Sequence, residues 1–320
     1  MERMMKYPLF LSPAGKNYLW GGERLKTEYG KKIDLEPLAE TWECSAHPDG
    51  PSVVVNGEYR GKTLIEVINE HPEYLGTKCN QNEGFPILIK FIDAAKDLSV
   101  QVHPDDEYAK EHEGDRGKTE MWYVLDAKDG AELVYGFEHL VDEQMLRDAV
   151  ETGDLSKHLH KVRVHKGDMF YIPAGTVHAI GAGILLAEIQ ESSNLTYRVY
   201  DYDRIGADGK KRELHFDKAV NVMDMQPSGT IRQKSRVVRY YPGCSREVIC
   251  RCQYFEAERI QCSGSFEFTV RPESYQVVLC IEGKGILGET EFAKGQCIML
   301  PAGLGRKKII GQCELIKVRC

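Results

Sequence analysis

The stretch Lys166-Gly-Asp-Met-Phe-Tyr-Ile-Pro-Ala-Gly-Thr-Val-His178 recurs further along the chain as Lys294-Gly-Gln-Cys-Ile-Met-Leu-Pro-Ala-Gly-Leu-Gly-Arg306. Each copy is a glycine turn, a short apolar run and a Pro-Ala-Gly reversal, which reads as a strand entering a tight turn. The run Glu120-Met-Trp-Tyr-Val-Leu125 before the first copy has a counterpart in Ser274-Tyr-Gln-Val-Val-Leu279 before the second. A duplicated strand-and-turn unit predicts a mainly β chain made of two similar halves. Only the first half keeps side chains of metal-ligating type, Glu120 and His178. In the second, serine stands at the place of Glu120, arginine at that of His178, and no Gln-x-His precedes them.

Upstream of the first copy, Leu98-Ser-Val-Gln-Val-His103 alternates apolar and polar residues strictly, the period of a strand with one buried face. Ser99, Gln101 and His103 therefore share a face. Together with Glu120 and His178 this collects four potential metal ligands, Gln101, His103, Glu120 and His178, in three strand-like pieces. Taken singly, each histidine reads as an ordinary core residue and the glutamate as a surface carboxylate. Taken together, two imidazoles and a carboxylate suit a borderline divalent ion, and so few protein ligands leave a position for water or substrate. The spacing from Gly167 to His178 resembles the second signature of the cupin barrels. The resemblance implies two jelly-roll (cupin) barrels, the first holding metal and the second blind.

At 320 residues the chain is long enough for a large core and two domains, placed at 1–239 and 240–320. A net charge of −7 gives no global basic surface, so no nucleic-acid partner is expected. No apolar run is long enough to span a bilayer, and Met1 to Pro8 has charges but no apolar core behind them, so a cytoplasmic protein is expected. Eight of the ten cysteines fall between Cys244 and Cys320 without paired two-residue gaps, and read as reduced, small core residues. Extra residues in the first copy, around 141–158, carry a helical pattern broken at Gly153-Asp154, a small helical insertion. Asp105 to Asp115 is a polar helix or loop, and the basic cluster Arg232, Lys234, Arg236 and Arg239 reads as a solvated connection.

A longer set of motifs carries a family resemblance. It comprises Pro8-Leu-Phe-Leu, Lys16, Trp20-Gly-Gly22, Ala39-Glu-Thr-Trp-Glu43, His47-Pro-Asp-Gly50 and Leu98-Ser-Val-Gln-Val-His-Pro104. It continues with Gly117-Lys-Thr-Glu-Met-Trp122, Pro173-Ala-Gly-Thr-Val-His-Ala179, Glu188-Ile-Gln-Glu-Ser-Ser-Asn194, Thr196-Tyr-Arg198 and Asp201-Tyr-Asp-Arg204. In this order they resemble type I mannose-6-phosphate isomerases, in the short form of low-GC Gram-positive bacteria. The resemblance implies an aldose–ketose isomerase interconverting mannose 6-phosphate and fructose 6-phosphate through an enediol, with one Zn2+ per chain on Gln101, His103, Glu120 and His178. It implies a small phosphosugar as the partner and leaves monomer or homodimer open.

Three further residues carry expected catalytic roles. Glu188 lies in the apolar run Ile184–Ile189, where burial raises a carboxylate toward a useful base, with Arg198 as a natural ion-pair partner. Lys118 lies two residues before Glu120 on the same face and is the other proton-transfer candidate. Arg198 matches the family's essential arginine and suits a phosphate or an enediolate. Lys118 and Arg198 are also substrate-binding candidates, as is Ser99, which otherwise reads as a small inward-facing filler. Trp20, Glu43 and His47 read as a lining of the cleft's rim or as structural residues. Two other classes fit part of the pattern. His103, Glu120 and His178 alone match the facial triad of a non-haem iron oxygenase, against which Gln101, Lys118 and Arg198 argue. A non-catalytic sugar-binding cupin would not need a complete ligand set.

Overall fold

The computed structural model describes residues 6–206, 209–229, 231 and 236–320. Among them the strands form three stacked sheets and the helices are short, so the chain is mainly β. The middle sheet has six strands in the order Met169–Ile172, Glu120–Ala127, Ile184–Glu191, Ile87–Ala94, Glu40–Cys44, Ala14–Lys16. One of its faces packs Ile89, Phe91, Met121 and Ile189 against Val277, Leu279, Met299 and Ile316 of a nine-stranded sheet. The other packs Ile92, Trp122, Val124 and Leu186 against Leu133 and Ile180 of a five-stranded sheet. Covered on both sides, Ile87–Ala94 and Ile184–Glu191 are buried along their whole length. That is why their sequences are near-continuous apolar runs, and why Lys90 and Glu188 within them stand out.

The five-stranded sheet, ordered Tyr197–Tyr200, Val100–Val102, His178–Ile180, Glu132–Phe137, Leu159–Arg163, needs a cover on its far face. The helix Glu143–Thr152 supplies it, setting Leu146 and Ala149 against Val102, Ala179 and Val199. Asp142 caps this helix by accepting from the Met145 N–H, and Gly153 ends it at φ +77°. The sequence signal at Gly153-Asp154 is therefore a helix C-cap. A second helix, Asp106–His112, joins the strand carrying Gln101 to the one carrying Glu120.

The duplication is explicit in the strand order. Six neighbours in the nine-stranded sheet run Cys297–Leu300, Gln276–Leu287, Gly305–Arg319, Glu256–Val270, Cys244–Arg251, Val238–Tyr241, the sequence of connections found in the middle sheet. Leu9–Ser12, from the start of the chain, extends this sheet by pairing with Cys297–Leu300. The register corrects one expectation. Ile172 faces Glu120, and its repeat Leu300 faces Gln276, so Gln276, not Ser274, stands where Glu120 does. The two choices share strand parity, and an apolar run matches itself equally well after a two-residue shift.

Of the basic cluster, Arg232 and Lys234 lie outside the described residues, as do Met1 to Met5. Arg236 is no solvated charge: it pairs with Glu247 at 2.7 Å and donates to the Gly167 carbonyl at 3.0 Å. All ten cysteines are free thiols. Among the described residues no helix is long and apolar enough to cross a membrane.

Candidate metal centre

His178 opens its strand directly opposite Gln101, and Glu120 opens a strand of the facing middle sheet, so the two-sheet sandwich brings the candidate ligands together. One ligand atom each from His103, Glu120 and His178 lies within 4.8 Å of the other two, and all three residues are buried. Gln101 places its side-chain amide 3.4 Å from His178 Nε2.

The hydrogen bonds fix both tautomers. His178 Nδ1 lies 2.8 Å from the Thr176 carbonyl, which only accepts, so Nδ1 carries the proton and Nε2 a lone pair. His103 Nε2 lies 2.8 Å from Lys118 Nζ, which only donates, so it too is a lone pair. Glu120 sets Oε1 3.4 Å from His178 Nε2 and Oε2 3.6 Å from His103 Nε2. Burial, then the charge of Lys118, holds both histidines below their ordinary pKa, His178 at about 4, so both are neutral at pH 7. Lone pairs thus face one another, and buried Glu120 Oε1 has no hydrogen-bond partner. A donor set of this kind, acceptor toward acceptor in a dry pocket, fits a divalent cation.

Beside the cluster is a cavity of about 250 Å3. Ser99, Gln101, Lys118, Glu188 and Arg198 all line it, and Trp20 contributes to its wall. Lys118 is only 4% exposed and bridges Glu120 Oε2, at 2.7 Å, to His103. Glu188 departs from expectation in two ways. Its partner is Lys90, directly opposite in the ladder and 3.0 Å away, not Arg198. Burial does push its pKa up, but the charges of Lys90 and Lys118 and hydrogen bonds from Lys90 and Trp122 outweigh it, leaving Glu188 ionised down to about 2. Arg198 instead donates from Nη1 to the Glu213 carbonyl at 2.7 Å, and its buried Nε has no partner.

Sequence reasoning missed Glu40, Lys90 and Arg212, which line the same cavity. Lys90 had a usable signal, a lysine in the middle of an eight-residue run that is apolar apart from it and Asp93. Arg212 had none, because the loop that returns it to the site is set by its fork onto Asp201, with Nε donating at 2.7 Å. Glu43 turns to the opposite face and pairs with Lys31 at 2.6 Å. His47 packs edge-on to Trp42, with centroids 5.7 Å apart.

Glu191, at the end of the central strand, accepts from the Thr119 N–H at 2.7 Å and so holds the residue between Lys118 and Glu120 in place. Burial is the main force raising its pKa to about 8, from 4.5. A carboxyl group raised in the folded state stabilises the fold fully below its unfolded pKa, and this contribution is lost as pH rises through about 8. Glu191→Gln, which mimics the protonated form, is therefore expected to stabilise the protein at pH 9 by about 1–2 kcal/mol and to do little at pH 5. Thermal unfolding at the two pH values measures this, and equal effects at both would refute it.

Comparison with known proteins places this geometry in context. Residues 9–149 match the model of the phosphomannose isomerase type I catalytic domain, and residues 246–320 that of the mannose-6-phosphate isomerase cupin domain. The chain is 42% identical over 318 residues to the mannose-6-phosphate isomerase ManA of Bacillus subtilis, covering 98% of this chain and 99% of that one. It is 41% identical over 315 residues to the mannose-6-phosphate isomerase of Streptococcus mutans, covering 98% of each. The crystal structure of the mannose 6-phosphate isomerase from Bacillus subtilis superimposes with a TM-score of 0.88 at 38% identity, over 97% of this chain and 99% of that one.

Proposed function

The chain belongs to the type I mannose-6-phosphate isomerase family, and from that premise we propose that it interconverts mannose 6-phosphate and fructose 6-phosphate at one zinc ion held by Gln101, His103, Glu120 and His178. The single observation that carries the zinc site is the buried, unpartnered Glu120 Oε1 aimed at the lone pair of His178 Nε2. Zinc bound there would supply a fixed positive charge that polarises the sugar carbonyl and stabilises negative charge developing on its oxygen.

The remaining work falls to the side chains of the cavity. Isomerisation moves a proton between C1 and C2 and another between the attached oxygens, through an enediol. Lys118, buried at the border between the ligand cluster and the cavity, is the group we assign to proton transfer. Glu188, ionised down to about 2, is a weak base for a carbon-bound proton. Its assigned part is to keep a negative charge in the cavity wall beside Lys118 and Lys90. Arg198 and Arg212 are assigned to the phosphate, with Ser99 as a hydroxyl donor. Asp201 stays ionised despite its burial because Arg212 and Arg204 both donate to it, and in doing so it holds Arg212 in place. On this reading the sheets make up two jelly-roll halves, 1–239 with the metal and 240–320 without ligands.

The decisive assay follows conversion of mannose 6-phosphate to fructose 6-phosphate by purified, metal-analysed protein. Turnover that tracks zinc content supports the reading. Zinc-loaded protein without turnover would overturn it and make oxygen uptake by the iron-loaded protein the next measurement. Arg198→Lys keeps the charge but loses the planar fork, and is expected to raise KM for mannose 6-phosphate by about 10- to 100-fold, the worth of one charge-assisted hydrogen bond of roughly 1.5–3 kcal/mol. An unchanged KM would remove Arg198 from substrate binding.

A further inference from the structure

The second half of the molecule has a cavity where the first has its active site, and its charges are inverted. Lys317 stands opposite Glu258 and Val278 in the nine-stranded sheet, as Glu188 stands opposite Lys90 and Trp122 in the middle sheet. Arg246 stands opposite Ile260 as Glu40 stands opposite Ile92. The set Glu40, Lys90, Glu188 is thus replaced, position for position, by Arg246, Glu258, Lys317. The interactions are kept: Lys317 lies 3.0 Å from Glu258 and Arg246 forks onto Glu258 at 2.6 and 2.9 Å, as Lys90 lies 3.0 Å from Glu188.

These side chains line a cavity of about 590 Å3, within the range of roughly 300–1,000 Å3 usual for small-molecule sites. Five cationic side chains line it against three carboxylates. Two of the cations, Lys78 and Arg271, are exposed at its rim and make no ion pair among the described residues. Gln276 takes the register position of Glu120, so the floor carries an amide in place of a metal ligand. Gln276 Nε2 donates to the Thr269 carbonyl at 3.1 Å, whereas its Oε1 is buried without a partner, the residue being 6% exposed. An orphaned acceptor calls for a donor, and a hydroxyl supplies one. Phe268, stacked on Phe266, offers an apolar face beside it.

We propose that this cavity binds a hydroxyl-rich anion, a sugar phosphate or a sugar acid, without metal, its anionic group held by Lys78 and Arg271 and one hydroxyl donating to Gln276 Oε1. The proposal does not rest on the isomerase reading, because the site shares no residue with the first cavity.

Isothermal titration of the full, zinc-loaded chain with fructose 6-phosphate, and separately with gluconate, tests it. With at least one of the two probes, one equivalent per chain is expected to disappear in a Lys78→Ala, Arg271→Ala double variant and to bind at least tenfold more weakly in Gln276→Met. Loss with fructose 6-phosphate alone identifies a sugar phosphate, and loss with gluconate a sugar acid. The double variant changes only exposed side chains, so folding is not at risk, and isomerase turnover is expected to be unchanged. If neither probe shows an equivalent that depends on Lys78 and Arg271, the proposal is overturned.

Discussion

Glu120→Ala is expected to lower kcat about a thousandfold or more and to reduce bound zinc from one per chain to nearly none. The reason lies in what the carboxylate faces. Its two oxygens are 3.4 and 3.6 Å from imidazole lone pairs, and burial, with the nearby charge of Glu188, already works against its ionised form. Lys118 answers Oε2 and His103 Nε2, but nothing answers Oε1 opposite His178 Nε2, and a cation bound there would offset that unfavourable pair. Metal acting as a Lewis acid provides several kcal/mol at the transition state, and about 4 kcal/mol corresponds to a factor of a thousand. Stripping the wild-type enzyme with a chelator should reproduce the loss and added zinc should reverse it, whereas the variant should not recover. Metal analysis beside kcat decides the matter. A variant that keeps stoichiometric zinc would show that the other ligands suffice. One that loses zinc but keeps turnover would remove metal from the chemistry.

The four proposed ligands were legible as candidates because each lies in a locally periodic piece. Gln101 and His103 follow from strict alternation, Glu120 from the run it opens, and His178 from a proline turn whose spacing leaves little freedom. The electrostatics of the site were not, because they depend on partners far away in sequence. Burial alone implied that Glu188 would be a raised, useful base. The sign reverses because Lys90 lies directly across the ladder, and no local pattern around Glu188 announces which strand will be its neighbour. The counterpart of Glu120 in the second half was misplaced by two residues for a related reason: side-chain parity survives such a shift, and only the hydrogen-bonded register selects Gln276. Residue types and faces were readable from the chain, while pairings across sheets required the fold.

Lys118→Met should separate metal binding from catalysis. Lys118 Nζ donates to Glu120 Oε2 at 2.7 Å and to His103 Nε2 at 2.8 Å, and both atoms belong to the proposed ligand set. An ammonium and a divalent cation cannot use the same lone pairs, so removing the lysine takes away a competitor, and zinc affinity is expected to hold or to rise. Methionine keeps the bulk and the apolar stem of the side chain, so the packing around this 4% exposed residue is retained. Turnover should fall about 10²–10⁴-fold, the usual worth of a positioned acid–base group. Competition against a chromophoric chelator gives the zinc affinity and steady-state assays give kcat. Parallel loss of both would make Lys118 an organiser of the ligand cluster and no more. An unchanged kcat would return proton transfer to Glu188, whose pairing with Lys90 would then have to loosen when substrate binds.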